Sequence, residues 1–180
     1  MIRTGATASL LATLLVMTGC TRAEPQTPAP SSSASSSSSM SPTATPSDSP
    51  EAQAAEAVVA FWKLRDQLAG DPSQGVTKLA EVARGQALDV HRRSLNAQAA
   101  QGWKQVGFVT VTPGTVKPTD KPGEYSVVAC VNVSTVNIVD AEGKSHVPPG
   151  RPEQSAYTYK VQQDGAQWYV VEDLLEATPC

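Results

Sequence analysis

Apolar and polar positions alternate in four regimes along the chain. Leu10 to Met17 is an apolar run interrupted only by Thr13. Thr21 to Pro50 is mostly Ser, Thr and Pro, including SSSASSSSS at Ser31 to Ser39. From Ala54 the apolar positions Val58, Phe61, Trp62 and Leu68, with the stem of Arg65, recur at three- and four-residue spacing, which predicts an amphipathic helix to about Ala69. Ser49 is placed to cap it, Pro50 suits its first position, and Glu51 favours its positive end. Gly70-Asp71-Pro72 stops it. Asp71 or Ser73 can cap a short second helix carrying Val76, Leu79 and Val82. A third is predicted from about Gln86 to Gln101, with Leu88, His91, Leu95 and Ala99 as its stripe and Gly102 as terminator.

After Gly102 the period changes to two. Gln105 to Thr112 predicts a strand broken at Pro113-Gly114. Glu124 to Val139 predicts one long strand, with Tyr125, Val127, Ala129, Val131 and Val133 on one parity and Val136 and Ile138 on the other. That change of phase predicts a bulge or sharp bend at Ser134-Thr135. Ser155 to Gln163 and Gln167 to Leu175 predict two more strands joined at Asp164-Gly165, a hairpin signal. Trp168, Tyr169, Val170 and Val171 are apolar on both parities, which predicts a central position for the last strand.

Helices followed by one antiparallel sheet is an α+β arrangement, here three N-terminal helices on a curved sheet of about four strands. Three stretches carry a resemblance: AVVAFWKLRD at Ala57 to Asp66, YSVVACVNVS at Tyr125 to Ser134, and QWYVVEDL at Gln167 to Leu174. In that order of elements, residues 51–180 resemble the NTF2-like (cystatin-like) fold and are similar to actinobacterial NTF2-like lipoproteins, in which a strand cysteine and a tail cysteine match Cys130 and Cys180. The resemblance implies a cone enclosed by sheet and helices. Some members, such as ketosteroid isomerases and dehydratases, use Asp, His or Tyr there as acid-base groups; others bind in the cone, or fill it. Fold alone therefore does not set function.

The first regime changes the picture of location. Arg3 precedes the apolar run, Thr18-Gly19 are small, and Cys20 follows, an ending that resembles the bacterial lipobox, although Met17 stands where Leu is usual. The run is too short for a membrane span of roughly 20 residues. Residues 1–19 are thus expected to be a lipoprotein signal peptide and 20–50 a lipidated Cys20 with a disordered tether, whose roughly 30 residues would span on the order of 30 Å. The alternative is an ordinary signal peptide with an incidental cysteine. If Cys20 carries lipid, Cys130 and Cys180 remain, and outside the cytoplasm they can form a single bridge; the alternative is two free thiols. The expected location is the outer face of the bacterial cytoplasmic membrane.

Formal charge is −3, and −4 once Arg3 leaves with the leader. Neither value nor any basic patch points to nucleic acid. Phosphate-loop, nucleophile-elbow and zinc-protease motifs do not occur, and the cysteines do not have metal-ligand spacing, so no cofactor or metal is expected. Catalytic candidates are weak. His91 lies on a helix stripe, where Asp89 two residues away cannot face it, and a histidine bonded to backbone at the core edge is the plainer reading. Asp66 is either at the cone mouth or solvated. His146 is expected in an exposed loop. Trp62, Tyr157, Tyr159 and Trp168 are candidates to line a pocket, against packed core as the default, with tyrosine hydroxyls reaching water; Trp103 is expected in the core.

Three functions follow as expectations. The first is a non-catalytic binding or interaction module at the envelope, its partners another envelope protein or a small apolar ligand. The second is an isomerase- or dehydratase-like enzyme using the cone, decided by whether two candidates reach hydrogen-bond distance in an open pocket. The third is an envelope-exclusion lipoprotein of phage or prophage origin, which genomic neighbourhood would decide.

Overall fold

The computed structural model describes Ser49 to Glu176 and Cys180. The expected leader, Cys20 and nearly all of the expected tether lie outside these residues.

α1 runs Pro50–Gly70, and the Ser49 hydroxyl accepts from the Ala52 N–H at 3.1 Å. Its buried face is the stripe Ala54, Val58, Phe61, Trp62 and Leu68, with Ala69 and Asp66 added. Asp71 ends the helix and its carboxylate accepts from the Ser73 N–H. The middle helix is tighter than expected: two 3-10 pieces, Pro72–Gln74 and Val76–Glu81, that bury Leu79. α2 is Gly85–Ala100, burying Ala87, His91 and Leu95. Gly102 follows in the left-handed region at φ 72°, as a helix terminator requires.

The strands are β1 Lys104–Val106, β2 Thr110–Pro118, β3 Glu124–Asn132, β4 Asn137–Val139, β5 Gln154–Asp164 and β6 Gln167–Leu175. A four-stranded antiparallel sheet has the order β2-β3-β5-β6, and β1 pairs with β4 in a separate ribbon. The helices cover one face of the curved sheet, an α+β cone of the NTF2-like kind. Phe61, Val58, Leu79, Val127, Tyr159, Val161 and Val170 are its fully buried centre.

Three expectations are corrected. The stretch Gln105 to Thr112 is two strands in two sheets. Gly107 breaks it, at φ 78°, where any Cβ would collide with the Thr135 carbonyl oxygen. Pro113-Gly114 does not end β2, because β2 is an edge strand whose register shifts between Pro113 and Val116, and the missing N–H costs little there. Glu124 to Val139 is likewise two strands. Ser134-Thr135 is a tight turn between them, closed by Val136 N–H to Val133 C=O at 3.0 Å, so the phase change is the bend and not the bulge. Third, β6 is at an edge rather than in the centre. Its outer side is covered instead by the segment before α2: Val170 N–H donates to Val82 C=O and Arg84 N–H donates to Val170 C=O. The Arg84 guanidinium sits 3.6 Å from the Tyr169 ring centre. Both faces of a strand can therefore be apolar without a neighbouring strand on each side.

Cys130 and Cys180 form a disulfide with Cα atoms 5.7 Å apart, which ties the end of the chain to β3. Among the described residues no helix is long and apolar enough to cross a membrane.

Candidate functional site

Inward positions of the sheet build the cone in layers. Register places Tyr159 opposite Val127 and Asp173, and Tyr157 opposite Ala129 and Leu175. At the wide end is a mostly apolar cavity of about 280 Å³, lined by residues that include Trp62, Val131, Arg151, Tyr157 and Leu175. One Arg151 guanidinium nitrogen is occupied by the Val133 and Val136 carbonyls at 2.8 and 2.9 Å.

Deeper in, the cone is filled. Tyr159 is 0% exposed, and its hydroxyl accepts from the Trp62 indole N–H at 2.8 Å instead of reaching water. Tyr157 stacks on Tyr159 with ring centres 5.9 Å apart. Burial pushes both phenols up from their ordinary value, and for each the nearby Asp173 carboxylate adds to the rise.

Beside these aromatics runs a buried polar chain joining α1, α2, β1 and β6. Arg65 donates through Nε to His91 Nδ1 at 3.3 Å and through Nη1 to Gln105 Oε1 at 2.8 Å. Gln105 Nε2 donates to Asp66 Oδ1 at 2.8 Å, and Asp66 Oδ2 accepts from the Val109 N–H at 2.7 Å. His91 Nε2 lies 2.6 Å from Asp173 Oδ2. With Arg65 donating to His91 Nδ1, the hydrogen-bond network assigns the donor role toward Asp173 to Nε2. The second carboxylate oxygen, Asp173 Oδ1, is buried with no hydrogen-bond partner. Burial pulls the Arg65 guanidinium down from its ordinary value, and the adjacent Asp66 opposes this. Phe61 and Trp62 pack edge-on to the imidazole with centres 4.9 and 5.5 Å away.

Each candidate now has a place. His91 is bonded to side chains, not to backbone, and Asp89 pairs with Arg92 on the surface. Asp66 is neither at the mouth nor solvated; its side chain is 3% exposed and spent on Gln105 and the Val109 amide. Trp62 and Tyr157 line the cavity. Tyr159 lies beneath it. Trp168 lies elsewhere, on an open groove beside the start of α1, where its N–H donates to Gln53 at 2.8 Å. His146 is half-buried rather than exposed; it stacks on Trp103 at 4.0 Å and its Nε2 meets Asp140 Oδ2 at 2.8 Å. That contact holds the Asp140 carboxyl below the usual carboxylate range. Trp103 is accordingly a half-buried surface stack, not core.

Asp173 and Gln105 carried no signal in the sequence. Alternation from Val170 makes Glu172 the inward residue of β6. The register shift between Lys160 and Val161 leaves Val171 as an extra residue, which turns Asp173 inward and sends Glu172 out to pair with Lys160 at 2.7 Å. Among the described residues no group of three or more His, Cys, Asp or Glu is arranged to hold a metal.

No family model matches the chain, and no curated protein matches it. Solved structures do. The intermembrane space region of chloroplast protein ARC6 superposes with TM-score 0.56 at 17% identity, over 71% of this chain and 97% of that one. Aln2 from a Streptomyces species gives TM-score 0.44 at 15% identity over 67% and 88%. Kfla4162 from Kribbella flavida gives 0.43 at 12% over 70% and 91%. At 17% identity the likeness to the ARC6 region is one of fold alone.

Proposed function

We propose that this chain is an extracytoplasmic lipoprotein, held at the outer face of a bacterial membrane by diacylglycerol on Cys20. Its tethered NTF2-like domain acts as a non-catalytic binding or interaction module. The observation that carries the location is the Cys130–Cys180 bridge. A disulfide of this kind persists in an oxidising compartment, and it leaves Cys20, at the end of an apolar leader, as the one cysteine without that role. Two or three acyl chains anchor stably where one does not. The non-catalytic part is supported by how the acid-base groups are used. His91, Asp66 and Tyr159 are buried and committed to partners inside the fold, and His91 and Asp173 are not part of the lining of the wide-end cavity. The test is detergent-phase partitioning of cell extracts. Wild type should enter the detergent phase and Cys20→Ala should stay in the aqueous phase; equal partitioning ends the anchor reading.

One observation favours a second reading, an isomerase- or dehydratase-like activity: the 2.6 Å His91–Asp173 contact with an unpaired Asp173 oxygen in the same inner layer as Tyr159. That reading requires a proton acceptor that substrate can reach. Saturating a small-molecule panel against wild type and His91→Gln, with turnover lost only in the variant, would establish it.

A further inference from the structure

Among the described residues β2 ends the sheet, and this edge is guarded unevenly. Pro113, the register shift before Val116, Lys117 and Pro118 blunt its second half. These are the devices by which sheets avoid pairing with other chains. Thr110, Val111 and Thr112 carry none of them. Beside that open stretch lies an apolar slot of about 220 Å³ between β2 and α1, lined by Val59, Trp62, Lys63, Phe108, Val109 and Val111 among others.

Phe108 forms one wall of the slot and is 73% exposed. Its loop is nonetheless held on every residue. Gln105 Nε2 donates to the Gly107 carbonyl at 3.4 Å, the Thr135 hydroxyl donates to the Phe108 carbonyl at 2.8 Å, and buried Asp66 accepts the Val109 N–H at 2.7 Å. A buried carboxylate is thus used to hold a phenyl ring out in water, an arrangement that lowers the entropy lost when the ring is covered. Asp66 is consumed in this way and pairs with Arg65. The other charged group of the slot, Lys63, is exposed and stands at the rim as a cation.

The geometry points to a strand-addition site: an extended peptide segment of a partner protein pairs with Thr110 to Thr112, places an aliphatic side chain in the slot against Phe108, and sets a carboxylate opposite Lys63. In this mode main-chain hydrogen bonds supply affinity and the slot supplies selectivity for alternate residues. This rests on the interaction-module reading above and names its surface and the chemistry of its partner.

The test is selection from a displayed library of eight-residue peptides in which Val, Ile or Leu alternate with Thr and one position is Asp, Glu, Lys or Gln. The bait is the full chain. Expected are acidic peptides that protect from hydrogen exchange those amides of Thr110 to Thr112 that face away from β3, bind Phe108→Ala at least tenfold more weakly, and lose to lysine-bearing peptides on Lys63→Glu. Phe108 is exposed, so its loss should leave the melting temperature unchanged, and a variant that melts with wild type but does not bind is a clean result. Failure to enrich any peptide, equal binding by Phe108→Ala, or protection elsewhere on the sheet overturns the site. So does Phe108-dependent binding to phosphatidylglycerol vesicles in place of peptide. None of these outcomes changes the Cys20→Ala partitioning result, so the anchor and the docking surface stand or fall separately.

Discussion

At the scale of single residues, the densest chemistry is the His91–Asp173 contact and the Arg65 that reaches it. Side-chain exposures of 10% and 7% put this pair out of water. Removing Asp173 leaves the buried His91 Nε2–H without its acceptor and costs about 1–3 kcal/mol, whereas replacing both partners by apolar residues costs far less. Asp173→Leu should therefore lower stability by that amount in urea unfolding, and His91→Leu/Asp173→Leu should recover a good part of it. A double variant as unstable as the sum of the singles would show that the two do not act together. Asp140 is a pH-sensitive residue. Its folded-state value is depressed by the His146 contact, so its contribution is present above the ordinary carboxylate range and is lost as pH falls through the depressed value. Tryptophan emission in wild type, less that of His146→Ala, should change as the stack on Trp103 loosens at that acidic end.

At the scale of elements, the connection from β1 to β2 is the position least tolerant of change. Gly107 adopts φ 78°, and a Cβ there would meet the Thr135 carbonyl. Gly107→Ala should cost at least about 1–3 kcal/mol in backbone strain, with the clash against the Thr135 carbonyl added to it, and should also disorder Phe108, seen as faster exchange of the Val109 amide that Asp66 now holds. How much of the elements could be read in advance follows the range of the forces involved. Helix bounds were legible because caps and stripes are local: Ser49 and Gly102 act within one turn. The strands of the final hairpin were legible from Gly165 and alternation. The β1-β2 break and the edge position of β6 were not, since the residues that decide them, Thr135 and Val82, lie far along the chain from Gly107 and Val170.

At the scale of the whole molecule, the bridge from Cys130 to Cys180 closes a loop with sequence separation 50. Chain entropy makes closing such a loop worth about 4 kcal/mol. Cys130→Ser should lower the melting temperature by about 10–15 °C, and unreduced wild type should resist alkylation until a reductant is added. Prompt labelling of both thiols in the unreduced fold would contradict the bridge. The site itself was only partly legible at this scale. Trp62 and Tyr157 were readable as candidates because their residue type and inward parity are sequence properties. Asp173 was hidden by the bulge at Val171, which reverses parity for the last residues of β6.

What the amino-acid order determined alone is what needs only neighbours: an apolar run shortly before Cys20, a Ser/Pro-rich stretch with nothing to bury, capped amphipathic helices, alternating strands, and the α+β class. What only the tertiary structure decided is which groups meet across the chain. Arg65 finds His91, His91 finds Asp173, and Asp66 turns from a surface acid into the clamp that presents Phe108. Such contacts depend on register and on one-residue bulges, and a single inserted residue changes the facing of every side chain after it; where neighbours are apolar on both parities, as at Val170-Val171, the period does not record it.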